Sequence, residues 1–274
     1  MNTKQKRGLL VLTECSIMIA LSTVLSIVEI FRMPYGGSIT LASMLPIVIL
    51  AFRHGVGVGS GSALVASLIQ LLLGLKNFSP FTTWQSIIAL ALFDYVLAFT
   101  VFGTVGFFRR IIKQQAISMT VGAALACLIR YLCHVISGAT IWAGLSIPDE
   151  AAIAYSLSYN ATYMIPETII LVLCAAYVGS SLDFSKTIPV RIKSKKLDTV
   201  ASYCYIGAGL SVLGALIADT VLVFSKLQNY KSGELFGAGI ASVNWLAVGI
   251  VSGVCFLCAA TLFILARRRT ERSA

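Results

Sequence analysis

Among the ionisable or amide side chains inside otherwise apolar stretches of this chain are Asp94, Arg130, His134, Asn160, Glu167 and Asp219. Such groups are costly in hydrocarbon, so each marks a pathway, a site or an ion pair. Arg130 and His134 are four apart and share one helix face, and Asn160 and Glu167, seven apart, share another. Asp94 stands beside Tyr95, and Asp219 is alone, with no partner and no reading. A loop carrying Trp142, Pro148, Asp149, Glu150 and Tyr155 separates the His134 and Asn160 segments. His134, Trp142, Tyr155 and Asn160 therefore fall near one membrane face, with Asp94 beneath them. One carboxylate, one imidazole, one amide and several aromatics suit a flat, cationic heteroaromatic ligand, since a cation over a ring gains about 0.5–2 kcal/mol. Each residue also has a plainer reading. Trp142 and Tyr155 are candidates for an interfacial aromatic belt, His134 for a hydrogen-bonded structural histidine, and Arg130 with Glu167 for a structural ion pair.

Catalytic signatures are missing. No G-x-x-x-x-G-K-[ST] phosphate loop occurs, so the chain by itself cannot use ATP. The glycines of Gly55-Val-Gly-Val-Gly-Ser-Gly61 are spaced for close helix packing instead. There are two histidines, His54 in a short basic turn and His134, and no hydrolase constellation, so an enzyme is not expected. The seven cysteines lie in apolar segments; Cys255-Phe-Leu-Cys258 has no second pair or His ligand beside it, and neither a metal nor a cofactor is expected.

The elements that must position these residues are membrane helices. Hydrophobic residues make up 58% of the 274 and charged residues 12%, where a soluble domain has about a quarter charged. Apolar spans of about 20 residues cross a bilayer, and they are read near 9–31, 39–52, 56–75, 84–108, 117–141, 157–180, 203–225 and 236–266. The second is short and carries Pro46, so it is tilted or broken. The fold class is an all-α integral membrane protein of about eight spans. The first apolar run is read as a retained span and not a signal peptide. Lys and Arg collect on the cytoplasmic side. With both termini there, sixteen lie inside and only Arg32, Lys76, Lys226 and Lys231 outside, with Arg130 left in the membrane. The net charge of +10 thus reads as topology plus attraction to anionic headgroups of the lipid bilayer, not as a nucleic-acid surface.

Several segments resemble one family. Met33-Pro-Tyr-Gly-Gly-Ser-Ile-Thr-Leu-Ala-Ser-Met-Leu-Pro46 followed by Ala51-Phe-Arg-His-Gly55 looks like the first loop and second helix of the thiamine-specific substrate-binding (S) component of energy-coupling factor (ECF) transporters. Phe93-Asp-Tyr-Val-Leu-Ala-Phe99 resembles its fourth helix, Arg130-Tyr-Leu-Cys-His-Val-Ile-Ser-Gly138 its fifth, and Tyr155-Ser-Leu-Ser-Tyr-Asn-Ala-Thr-Tyr-Met-Ile-Pro-Glu167 the start of its sixth. The likeness covers residues 9 to about 182.

The resemblance implies a multi-pass protein of a bacterial plasma membrane, whose six-helix core at 1–185 binds extracellular thiamine and depends on an ECF coupling membrane protein and two ATPase subunits. It matches the family's ligand positions to His134, Trp142, Tyr155 and Asn160, and to Asp94 with Tyr95, where the family often has Glu. Tyr35 and Trp84 are its candidates for a further aromatic. In the roles this implies, Asp94 supplies negative charge and Trp142 stacks with Tyr95 or Tyr155. His134 and Asn160 give directional hydrogen bonds, and the loop from Met33 to Ser38 acts as a lid hinged at Gly36 and Gly37. Ser16, Ala20 and Val24 partly match the family's small-residue docking face. A basic linker at 186–202 and a two-helix transmembrane hairpin at 203–274 lie beyond the likeness, the hairpin read as an added stabilising element or as a module for a partner. Two other readings stay open: an S component for another vitamin or a thiamine precursor, and a self-sufficient secondary transporter or membrane scaffold; inverted repeats would favour the transporter, and the halves show no convincing similarity.

Overall fold

The computed structural model describes residues 3–33, 36–78, 83–143, 149–192, 199–227 and 242–272. Its contacts divide the chain into two units, Met1–Ile192 and Lys193–Ala274.

The first unit opens with helix α1 (Thr3–Ile27). The chain then leaves helical geometry for an antiparallel hairpin of β1 (Glu29–Arg32) and β2 (Ser38–Thr40). The expected first span, 9–31, therefore stops short at Ile27, because the run after it is extended. Gly36 and Gly37 turn the hairpin at φ +98° and +89°, a left-handed region that side chains with a Cβ avoid. Helix α2 (Leu45–His54) follows, with Pro46 in its first turn, where a missing N–H costs nothing. Ten residues rise about 15 Å, half a hydrocarbon core. The second expected span, 39–52, is thus a strand, a turn and a half-length helix. That helix is the centre of the core: Ile47, Val48, Leu50 and Ala51 are fully buried, with Phe102, Val105, Met119 and Ala175 packed around them.

Gly55, at φ +85°, joins α2 directly to α3 (Val56–Leu73). Of the four glycines expected to pack, Gly59 does so: a Cβ there would meet Ala51 at 2.6 Å. Gly57 and Gly61 face open space, and Gly55 serves the turn. Helix α4 (Trp84–Ile111) is irregular, with a π-helical stretch over Leu90–Leu97 and a 3-10 turn over Val101–Thr104. Helices α5 (Gln115–Ala143) and α6 (Asp149–Ser181) pack along each other. A short antiparallel pair, β3 (Leu182–Asp183) with β4 (Val190–Arg191), follows.

Glu14, Arg53 and His54 meet at the end of α2. Arg53 Nε lies 2.5 Å from Glu14 Oε1 and His54 Nε2 3.0 Å from Glu14 Oε2. Arg53 also donates to the carbonyls of Lys186 and Thr187, while Arg109 donates to those of Phe52 and Arg53. Glu14 of α1 thus holds the end of α2, which Arg53 links to the segment after α6 and Arg109 links to the end of α4.

In the second unit, α7 (Thr199–Leu227) and α8 (Trp245–Arg272) form a hairpin. Asp219, unpartnered on sequence grounds, accepts a hydrogen bond from Ser252 of α8. Tyr205 packs edge-on against Phe263 at 5.6 Å. Among the described residues, six helices are long and apolar enough to cross a membrane, five of them in the first unit. Among the described residues, each of the eight expected spans falls on a helix, and α2, at ten residues, is too short to cross alone. The protein is an all-α membrane protein.

Candidate ligand site

The π-helical stretch of α4 carries both Asp94 and Tyr95. Widened turns of this kind change which side chains face inward and recur at functional sites. Here Asp94 is turned towards α5, where its Oδ1 lies 2.8 Å from His134 Nδ1. One turn back on α5, Arg130 Nε donates to His134 Nε2 at 3.2 Å. A guanidinium can only donate, so Nε2 must carry the lone pair. His134 is therefore the neutral Nδ1–H tautomer, and it donates to Asp94.

The chain of contacts continues inward. Arg130 Nη1 is 3.2 Å from Glu167 Oε2 on α6, in ion-pair contact but outside hydrogen-bond geometry. Its guanidinium also lies 4.5 Å from the Phe99 ring centre of α4, a cation–π contact. The other oxygen, Glu167 Oε1, accepts from Thr40 Oγ1 of the hairpin at 2.9 Å. Thr40 and Ser43 hydroxyls are 2.8 Å apart, and Ser22 of α1 donates to the Ser43 carbonyl. Arg130, His134 and Glu167 are all buried, so the ion pair read as structural at the sequence level is present. The cluster holds two carboxylates, one guanidinium and one neutral imidazole, leaving one net negative charge.

Asn160 on α6 is held by both ends of its amide. Its amide nitrogen donates to the carbonyls of His134 and Ser156, and its Oδ1 accepts from Tyr163 at 2.6 Å. Tyr155, expected in a loop, lies inside α6 and stacks on Tyr159 at 5.9 Å. Tyr159 meets Tyr163 edge-on, Tyr163 meets His134, and the Tyr159 hydroxyl donates to the Gly36 carbonyl. The hairpin turn therefore rests on a tyrosine ladder. Gly37 lies so close that a Cβ would sit 2.7 Å from the Tyr163 ring.

Asp94, His134 and Asn160 are thus brought together. Tyr95 is directed elsewhere: its hydroxyl donates to the Gly74 carbonyl at the end of α3, and its ring stacks on Phe78 and Phe99. Trp84, at the start of α4, is 67% exposed. Tyr35 lies outside the described residues; Trp142 is in the last turn of α5, and its side chain is outside what is described. Sequence reasoning passed over Thr40, Tyr159, Tyr163 and Glu14. The spacing of Tyr155, Tyr159 and Tyr163, four apart on one face, was the available signal for the ladder.

Fold and cluster define the class, a multi-pass helical membrane protein with an ionic network buried between its helices and an extended hairpin. Residues 12–185 match the thiamine transporter protein family (Thia_YuaJ), and the chain belongs to that family. It is similar to the thiamine transporter ThiT of Bacillus subtilis (strain 168), with 35% identity over 205 residues, covering 70% of this chain and 98% of that relative. It is accordingly a multi-pass protein of the plasma membrane. The α7–α8 hairpin falls beyond the family match.

Proposed function

We propose that the chain captures thiamine from the outer face of the plasma membrane, as the substrate-binding subunit of an importer driven by separate coupling and ATPase chains. The observation that carries this reading is the Asp94 carboxylate held by His134 while Arg130 is paired with Glu167, in segments that match the family. Thiamine is a monocation built from two flat rings, and an unbalanced carboxylate among aromatics is complementary to it. Asp94 faces the thiazolium or accepts from the aminopyrimidine; Trp142 and Tyr155 stack on the rings. His134 and Asn160 hold that arrangement, Asn160 keeping one lone pair of Oδ1 for a donor. Tyr35 and Trp84 remain the candidates for a further aromatic, while Tyr95, with its hydroxyl on the Gly74 carbonyl, packs α4 against α3.

The dependence on partners follows from the family resemblance and from a sequence without a phosphate loop. Ser16, Ala20 and Val24 lie along an exposed face of α1, available to a coupling protein.

The test is titration of the detergent-purified protein with thiamine, read by tryptophan fluorescence or calorimetry. Saturation at nanomolar to low micromolar thiamine is expected, with no response to riboflavin or biotin. No response to thiamine would overturn the substrate. ATP hydrolysis by the purified chain alone would overturn the partner dependence.

A further inference from the structure

Arg130 lies one helical turn from His134, inside the same network as Asp94. A guanidinium so placed would cancel the Asp94 carboxylate and leave a neutral site. Glu167 prevents this. It lies 3.2 Å from Arg130 through Oε2, and through Oε1 it is fixed by Thr40 of the hairpin. Phe99 holds the guanidinium from another side. We infer that Glu167 is a charge-setting positioning residue: by neutralising Arg130 it keeps the site monoanionic, and so selects monocationic over neutral heteroaromatic ligands.

This inference rests on the thiamine reading above and adds to it the origin of ligand-charge selectivity. Glu167 touches neither Asp94 nor His134; it acts through Arg130. In a buried site the field of one uncancelled charge reaches several ångströms with little screening. Changing the charge count therefore alters cationic and neutral ligands differently, whereas a packing defect weakens both alike.

The experiment compares the full chain's affinity for thiamine with its affinity for an isostere bearing a neutral thiophene-type ring in place of the thiazolium. In Glu167→Gln, thiamine affinity should fall about tenfold or more, with the neutral isostere changed by about twofold or less. In Arg130→Gln, the thiamine-to-isostere ratio should rise above that of the unsubstituted chain. In the double variant Arg130→Gln/Glu167→Gln the charge count returns to its starting value, and the ratio should return to within about threefold. If Glu167→Gln does not fold, the Arg130→Gln and double-variant ratios decide alone, each against the unsubstituted chain. Parallel losses for both ligands, or a ratio that ignores the charge count, would overturn the inference while leaving thiamine binding intact. A chain that binds no thiamine would instead remove the substrate reading, and this inference with it.

Discussion

Asp94 and His134 meet at 2.8 Å although forty residues and the whole turn between α4 and α5 separate them. Their contact depends on an irregularity, the π-helical stretch of α4, and on the guanidinium that fixes the imidazole tautomer. Asp94→Asn keeps the shape and removes the charge. It should weaken thiamine binding at least about tenfold, since a partly buried charge–charge contact is worth roughly 1.5–3 kcal/mol. Calorimetry checks this, and an unchanged affinity would make Asp94 structural.

The hairpin turn offers a cleaner contrast. Gly36 and Gly37 both have left-handed φ, but only Gly37 has a ring against it. Gly36→Ala should cost about 1 kcal/mol of local conformational energy. Gly37→Ala adds the collision with Tyr163 and should weaken thiamine binding several-fold more, mainly through faster dissociation. Stopped-flow fluorescence separates the two; equal effects would mean that contact with Tyr163 is immaterial.

Glu14 belongs to stability and not to binding. Its loss leaves the Arg53 side chain, 5% exposed, with backbone carbonyls alone as acceptors. Glu14→Ala should lower stability by about 1–3 kcal/mol, less than for a fully buried pair because Glu14 is partly exposed. A melting curve in detergent should move down by several degrees while thiamine affinity stays nearly constant. A large affinity change with an unmoved melting point would contradict this assignment.

Truncation after Ile192 removes α7 and α8, which lie outside the family match and form their own unit. The shortened chain should bind thiamine within about threefold of the full chain, a difference under 1 kcal/mol. Complete loss of binding in a folded truncation would assign the hairpin a part in the site.

The sequence was most legible where one property repeats over many residues. Span after span of apolar residues could be read from the long helices, and Asp94, His134 and Asn160 stood out because polar groups in such runs are conspicuous. The hairpin at 29–40 was not legible, since Ile30, Phe31 and Ile39 continue the apolar pattern of α1 and only backbone geometry ends it. Glu14 escaped for a similar reason, lying inside an apolar run while its partners are 39 and 40 residues away. Tyr95, paired with Asp94 by adjacency, turns to α3 because successive side chains on a helix point in different directions. Tyr163, remote in sequence from His134, takes the place beside it.

A two-stranded hairpin has open edges, and its unpaired amides and carbonyls cannot face lipid tails. Thr40, the last residue of β2, therefore acts as a waterline: from there outward the chain must be bathed or shielded by protein. Asn160 lies seven residues from Glu167, the acceptor of Thr40, or about 10 Å along α6. With the orientation inferred from the charges, that step leads towards the outside. A charged vitamin arriving from the medium would then reach Asp94 through a hydrated vestibule, and would shed its water only against the tyrosines.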